Sequence, residues 1–212
     1  LDELAEFPRT VLDSLRQSIE TGQAVVSRAN HRVTYPARFQ LVAAMNPYRC
    51  GYPSDPAQAC GRAPKCGLDE QARLSGPLLD RFDLRIEIEP VSARELGQPL
   101  DTERSKTVAA RVAAARRLQR HRFESVGAGA SGRTNAELDG KLLEEHARPD
   151  PPGQALMEEA ASRLALSARG YHRVLKIART LADLDGTEAV GRIHLAEALS
   201  YRALGDRMAV AA

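Results

Sequence analysis

The stretch that most constrains the fold is Leu41–Pro47, whose sequence is LVAAMNP. An apolar run that ends in a polar residue and a proline is typical of a buried parallel strand, and it delivers one side chain, here Asn46, to the carboxyl edge of a sheet. Open α/β sheets bind their ligands at that edge. An earlier segment ends in two acids, Asp2 and Glu3. Carboxylates next to an amide side chain are the groups needed to hold Mg²⁺ and an attacking water beside a γ-phosphate. The sequence therefore predicts part of a nucleotide-driven motor.

Four ordered segments carry a resemblance to a known family. They are LDELAEFPRTVLDSLRQSIETG, VVSRANHRVTYPARFQLVAAMNPYRCG, LSGPLLDRFDL and LSARGYHRVLKIARTLADL. Together they resemble the magnesium-chelatase-like AAA+ ATPases of the ComM/YifB type over nearly the whole chain. The resemblance implies an α/β plus all-α fold, the C-terminal part of an AAA+ P-loop-type core followed by a helical lid domain. It also implies a hexameric ring that uses ATP and Mg²⁺ to act on DNA, as a branch-migration helicase in natural transformation.

The chain is expected to have three parts. By the resemblance, residues 1–90 are the C-terminal half of the core and residues 103–212 a lid domain of the magnesium chelatase C-terminal type. Residues 91–102 between them form a linker with no sustained period. No GxxxxGK[ST] phosphate loop occurs in the sequence, so we expect a C-terminal fragment of a longer ATPase that hydrolyses no ATP on its own.

Periodicity predicts the main elements. Apolar residues recur at helical spacing from Pro8 to about Glu20, and Leu84–Glu89 alternates apolar with charged residues as a half-exposed edge strand does. Beyond the linker every element is predicted to be helical, with helices near Asn135–His146 and Gly153–Leu166. A later helix runs from Leu166 to about Asp185, with Val174, Leu175, Ala178 and Leu181 on its inner face.

Four residues of the first part take catalytic roles by the resemblance. Asp2 would help to hold Mg²⁺, Glu3 would orient the attacking water, and Asn46 would be sensor 1. Arg81, within LLDRFD, would be the arginine finger that reaches the γ-phosphate held by a neighbouring subunit. Structural roles remain open for all four: an acidic helix cap, a turn-capping Asn, and a local ion pair of Arg81.

Two β-prone runs, Ala24–Ser27 and His31–Tyr35, predict a hairpin. It resembles the pre-sensor hairpin of the family, whose tip faces a central pore. Arg28, His31 and Arg32 would then contact DNA phosphate, although solvated turn charges are the alternative.

The resemblance also places sensor 2, an arginine that reaches over the nucleotide, at the start of the helix near Leu166. Arg169 matches that position, and Arg173 one turn later is the reserve candidate. An arginine paired on the surface of a helical bundle is the alternative for both.

Three cysteines, Cys50, Cys60 and Cys66, lie in the Pro- and Gly-rich stretch Tyr48–Gly67. Thiolates crowded into a loop suggest structural Zn²⁺, but three ligands are one short of a closed tetrahedral site. Ordinary reduced cysteines are therefore the alternative.

The helix predicted over Glu103–Phe123 carries a run of basic side chains. They are Arg104, Lys106, Arg111, Arg116, Arg117, Arg120 and Arg122, with no acidic residue between the first and the last. A solvated face explains such a run, and so does contact with nucleic acid or with an acidic neighbouring subunit.

Composition narrows the class of protein. The net charge of +2 is too small to imply nucleic acid by itself. No apolar run approaches the length of a membrane span, and an odd number of cysteines argues against a disulfide framework, so we expect a cytoplasmic protein without membrane contact. Two other functions stay open: an ATPase subunit that drives metal insertion into a porphyrin, and a non-catalytic interaction module in which Asp2, Asn46 and Arg81 are structural.

Overall fold

The structure is a computed structural model. It describes residues 1–29, 31–46, 69, 72–88, 91, 96–97, 103–125 and 134–203. The chain divides into two compact units, Leu1–Phe82 and Asp83–Ala212. Most of the predicted linker, 91–102, lies outside the described residues, so the predicted domain boundary stays a prediction.

The first unit begins with helix α1 and a β-hairpin. α1 spans Arg9–Thr21 and ends at Gly22, whose φ of 65° is the left-handed conformation that glycine adopts without strain. Strands β1, Gln23–Arg28, and β2, His31–Pro36, pair antiparallel with Arg28 opposite His31. A two-residue loop joins them, which confirms the predicted hairpin.

A small apolar cluster holds this unit together. Leu12 of α1 is 2% exposed, and Leu78 of the short helix α2, Gly76–Leu79, is 1% exposed. Leu4 and Leu74 complete the buried part of the cluster. Because α1 is amphipathic, one face packs on this cluster and the other faces solvent.

The first residues of the chain pair with the segment predicted as the central strand. The Leu1 amino group donates to the Val42 carbonyl at 2.8 Å, and the Ala44 amide donates to the Leu1 carbonyl at 2.9 Å. Leu1 thus forms hydrogen bonds to the two residues that flank Ala43, which is the pattern of parallel strands. The Leu4 amide then donates to the Ala44 carbonyl at 2.9 Å.

The prediction of a buried strand at Leu41–Pro47 is wrong for the residues that the structure describes. Residues 41–46 form no regular strand, and Val42 is 72% exposed. Ala43 and Met45 pack against the apolar cluster while the other face stays open. A strand is buried on both faces only when other elements pack on both, and among the described residues the apolar cluster covers just the face with Ala43 and Met45.

The second unit is helical where the structure describes it. Its helices are α3, Ser105–Ser125; α4, Gly140–His146; α5, Pro151–Arg163; α6, Ala168–Leu184; and α7, Arg192–Ala203. Asp139, Asp150 and Ser167 cap α4, α5 and α6, because their side-chain oxygens accept hydrogen bonds from amides of the first turn. No helix among the described residues is long and apolar enough to cross a membrane.

Helix α6 is the centre of the second unit. Val174, Ala178 and Ala182 on its inner face have no exposed surface. Phe123 of α3 and Leu195 of α7 are equally buried in the same cluster. The period of apolar residues predicted this inner face correctly.

A charged network lies inside this helical unit. The Asp183 side chain has no exposed surface and accepts two hydrogen bonds from Arg122, at 2.6 and 3.0 Å. Arg179 donates Nε to the same carboxylate at 3.1 Å, and Asn135 donates its amide at 2.7 Å. Burial alone would raise the pKa of Asp183, but the hydrogen bonds from Arg122 and Asn135 and the charge of Arg179 outweigh it and lower the pKa below its usual value.

Two predicted elements differ from the structure. The helix predicted near Asn135–His146 is a 3₁₀ turn, Asn135–Glu137, followed by α4, because Gly140 adopts a φ of 48° and breaks the helical path. The edge strand predicted from Leu84 is also wrong: residues 84–88 form no strand, and Ile86 and Ile88 are 67% and 86% exposed. A strand needs a second strand beside it, whereas the Arg85 amide of this run donates to the carbonyl of Tyr201, a residue of helix α7, at 3.1 Å.

Candidate functional site

The acidic pair lies at the end of the paired amino-terminal segment. Asp2 and Glu3 are both exposed, and the Glu3 amide donates to Asp2 Oδ1 at 3.0 Å. Glu3 adopts a φ of 50° and a ψ of 50°, a left-handed conformation that non-glycine residues rarely take. Backbone strain of this kind clusters at functional sites.

Asn46 follows the opposite segment and is also exposed. Leu1 pairs in parallel with residues 42–44, and Asp2 and Glu3 follow Leu1 while Asn46 follows Ala44 by two residues, so all three lie toward the carboxyl edge of this pairing. A nucleotide site at this edge stays a prediction.

The chemistry of this edge suits a magnesium nucleotide. In phosphate chemistry Mg²⁺ takes one or two carboxylates from the protein and further oxygens from the phosphates and water. Asp2 and Glu3 provide such carboxylates. No group of three or more His, Cys, Asp or Glu side chains that could hold a metal by themselves is found in the part of the chain that the structure describes.

Arg81 is held against α1. Its guanidinium donates to Glu20 Oε1 and to the Pro77 carbonyl, and its side chain is only 7% exposed. One of its partners, Glu20, is 61 residues away in the chain. Nothing in the local sequence signals Glu20.

The hairpin presents its cations to solvent. Every residue of β2 is exposed, and Arg28 at the end of β1 is exposed as well. The side chains of Arg28, His31 and Arg32 have no hydrogen bond or ion pair to any residue that the structure describes. This arrangement leaves their charges available to an anionic partner.

The two sensor-2 candidates lie in the first turns of α6. Arg169 is exposed, and Arg173 pairs with Asp83 at 3.0 Å, with 18% of its side chain exposed. Asp83 belongs to the same LLDRFD motif as Arg81, so this motif also supplies an acid to α6. Sequence reasoning missed this pair because 90 residues separate its members.

The candidate zinc ligands Cys50, Cys60 and Cys66 lie outside the described residues. The zinc site therefore stays a prediction.

Two family models match the chain in sequence order. Residues 1–96 match magnesium chelatase, subunit ChlI, and residues 102–202 match magnesium chelatase, subunit ChlI C-terminal. The two matches cover nearly all of the chain.

Individual relatives agree with the family models. Competence protein ComM of Haemophilus influenzae is 42% identical over 205 residues, which are 96% of this chain and 38% of the relative. YifB of Escherichia coli is 42% identical over 99% of this chain and 40% of its own length. The magnesium-chelatase 38 kDa subunit of Cereibacter sphaeroides is 29% identical over 97% of the chain and 54% of the relative.

The chain thus spans about two fifths of the length of ComM and YifB. The consecutive family matches and the identities near 42% agree with the ordered motifs of the sequence. We conclude that the chain belongs to the magnesium-chelatase-like family, of the ComM/YifB type.

Proposed function

We propose that this chain is part of an AAA+ ATPase that couples ATP hydrolysis to work on DNA. The observation that supports the proposal is the parallel pairing of Leu1 with residues 42–44, beyond which Asp2 and Glu3 on one segment and Asn46 on the other follow in the same direction. The identity to a protein named competence protein ComM favours DNA as the substrate. In this proposal the first unit is the C-terminal half of the nucleotide-binding core, and the helical unit is the lid.

Each residue of the edge has a distinct task. A bound Mg²⁺ would supply charge neutralisation to the phosphates of the nucleotide. Asp2 helps to hold the ion, and Glu3 orients the attacking water. Asn46 can orient water without repelling phosphate because its amide is uncharged. Arg169, with Arg173 as the alternative, contacts the γ-phosphate from the lid.

Arg81 acts across a subunit boundary in a ring, as we propose for the full-length protein. To reach a neighbour's phosphate it has to exchange Glu20 and the Pro77 carbonyl for that phosphate. Arginine fingers contribute roughly 10³–10⁵ in rate in other phosphoryl-transfer systems. Arg81→Ala should therefore leave ATP binding in place and slow turnover by at least ~10³-fold.

A matched control separates this role from a structural one. Arg73 also pairs with an acid of the first unit, Glu6, at 3.1 Å, but its side chain is 40% exposed. Arg73→Ala should leave turnover within about twofold, since exposed pairs contribute little. Equal turnover by the two variants would remove the finger assignment.

The hairpin is proposed to contact DNA phosphate through Arg28, His31 and Arg32. The double variant Arg28→Ala/Arg32→Ala should weaken duplex binding and lower the salt slope of the affinity by about 2, at ~0.9 per phosphate contact. A control with Arg9→Ala/Arg73→Ala removes the same charge from elsewhere in the first unit. Unchanged affinity of the hairpin variant would contradict the contact.

The decisive experiment is ATP turnover by a full-length protein that contains this chain, with and without forked or four-way-junction DNA. Stimulation by DNA that disappears in Asn46→Ala and in Arg81→Ala would support the motor and both assignments. Absence of any turnover would leave a non-catalytic interaction module. Turnover by the 212-residue chain alone would contradict the expectation that it lacks a complete phosphate site.

A second candidate function rests on the 29% identity to a magnesium-chelatase subunit. Such a subunit would use the same ATP site to drive metal insertion into a porphyrin. Turnover that is indifferent to DNA would favour this function.

The proposed zinc site is independent of both functions, and metal analysis of the purified chain checks it. Zinc well below one equivalent would dismiss Cys50, Cys60 and Cys66 as ligands.

A further inference from the structure

The cations of α3 fall into two groups in the structure. Arg111 donates two hydrogen bonds to Glu103, at 3.0 and 3.1 Å, and Arg116 donates to Gln119. Arg122 is the buried partner of Asp183. These three arginines have partners within the unit.

The other group consists of Lys106, Arg117 and Arg120. All three are exposed, and none of their side chains has a hydrogen bond or an ion pair to another described residue. The acid of this helix, Glu124, lies one turn beyond Arg120 and is likewise unpaired among the described contacts. The exposed cations thus outnumber the acid on this part of the surface.

Helix geometry puts these three cations on one face. Ala115 is buried, and Arg117 follows it by two residues, which turns the helix by about 200° and points Arg117 away from the core. Lys106 precedes Arg117 by eleven residues, about three full turns, so both share a face. Arg120 lies one turn further along, and the row spans about 21 Å at 1.5 Å per residue.

The side chains between these charges are small. Ala109, Ala110 and Ala113 are the exposed residues between Lys106 and Arg117 on this side of α3. Methyl groups do not obstruct the approach of a polymer to the helix. The exposed apolar side chains of α3, Val112 and Leu118, lie more than 90° around the helix from Arg117.

We propose that this row of Lys106, Arg117 and Arg120, the basic face of α3, binds the phosphate backbone of a nucleic acid. A line of cations about 21 Å long matches about six base pairs of duplex at 3.4 Å each. Protein interfaces rely on buried aromatic or apolar anchors, whereas this face offers alanine methyls and charge. The face is separate from the hairpin and binds without nucleotide, so it does not depend on the proposed ATPase activity.

The test measures binding of a labelled 20-base-pair duplex of arbitrary sequence to the 212-residue chain by fluorescence anisotropy, without nucleotide, over a series of salt concentrations. The triple variant Lys106→Ala/Arg117→Ala/Arg120→Ala should bind roughly tenfold more weakly near 0.1 M salt, and its salt slope should fall by about 2.7. Alanine favours helix at least as well as lysine or arginine, so α3 should stay folded, which circular dichroism checks.

Two further variants make the result specific. Lys141→Ala/Arg148→Ala/Arg192→Ala removes the same charge from exposed positions of the second unit and should change affinity less than threefold. Arg117→Lys/Arg120→Lys should retain binding because contact with phosphate requires only the charge. Equal losses in the two triple variants, or no loss in either, would overturn the proposal. Displacement of the duplex by polyglutamate at equal charge concentration would also overturn it, because it would identify an acidic protein as the better partner.

Discussion

Asp183 in the second unit is a fully buried acid, whereas Val42 in the first unit is an apolar side chain with 72% of its surface exposed. The same contrast extends to their neighbours. Arg179 is 3% exposed inside the helical unit, while Val26 and Val33 of the hairpin are 48% and 44% exposed. The charged side chains at the centre of the helical unit are therefore neutralised by partners within the same unit. The hairpin and residues 41–46 of the first unit leave apolar side chains that no described part of the chain covers, so the stability of these segments should depend more on their surroundings. Ile86 and Ile88 of the second unit are exposed as well, but they lie outside its helices.

The largest effect on this contrast should come from Asp183→Ala. The substitution leaves Arg122 and Arg179 buried without a counter-charge, and breaking a buried pair in this way costs about 3–5 kcal/mol. Urea unfolding followed by circular dichroism should show the loss, and hydrogen exchange should assign it to peptides of the second unit.

Glu159→Ala is the matched control. Glu159 pairs with Arg163 at 3.7 Å, and both side chains are at least 70% exposed. Its removal should cost less than about 1 kcal/mol. A similar loss in both variants would mean that burial of Asp183 carries no special weight.

Lowering the pH should reduce the free energy of unfolding of the second unit by a fraction of the loss expected for Asp183→Ala. The pKa of Asp183 is lowered in the folded state, so the unfolded chain takes up the proton first as the pH falls. This contribution is complete above the usual aspartate pKa of about 4 and is lost as the pH falls through the folded value.

His146 acts in the same direction at higher pH. Burial lowers its pKa, so stability should begin to fall as the pH drops below about 6.5. Denaturant midpoints from pH 7 to pH 3 check both steps. In Asp183→Ala the lower step should be absent while the His146 step persists.

A leucine truncation in each unit compares the two apolar clusters. Leu195 of the second unit and Leu78 of the first are 0% and 1% exposed. Leu→Ala substitutions in cores cost about 2–5 kcal/mol, and the cost depends on how far the site can relax. We expect Leu195→Ala near the upper end and Leu78→Ala near the lower, because α2 is short and its cluster is small.

Hydrogen exchange of peptides from each unit measures the two losses separately. Equal losses would show that the cluster of the first unit is as rigid as that of the second.

The smallest change in the free energy of unfolding is expected from removing a helix cap, and the caps also differ between the units. Ser167 Oγ accepts a hydrogen bond from the Gly170 amide at 3.0 Å, whereas α1 has no capping side chain. Ser167→Ala should cost about 1 kcal/mol. Ser162→Ala is the control, since this exposed hydroxyl only donates to the Glu158 carbonyl within its own helix. A change of less than 0.5 kcal/mol is expected there.

Local sequence patterns predicted the elements that depend on local contacts. The inner face of α6 followed from its period of apolar residues, and the hairpin followed from two β-prone runs with a polar centre. In these cases neighbouring residues determine the outcome.

Sequence reasoning failed where the partner is distant in the chain. Arg122 was one member of a basic run, and only the fold shows that Asp183, 61 residues later, makes it a core residue. The pairs Arg81 with Glu20 and Arg173 with Asp83 have the same origin. The left-handed backbone of Glu3 has no sequence signature, because such a conformation is imposed by tertiary contacts.

The buried network also bears on how the helical unit can change over evolutionary time. Losing Asp183 leaves Arg122 and Arg179 without their counter-charge, and losing either arginine removes hydrogen bonds from the buried carboxylate, whereas replacing the whole set by packed apolar residues can be neutral. A lineage that moves from one state to the other by single steps has to pass through an unstable intermediate. We therefore expect Arg122, Arg179 and Asp183 to be inherited together and to covary when they change.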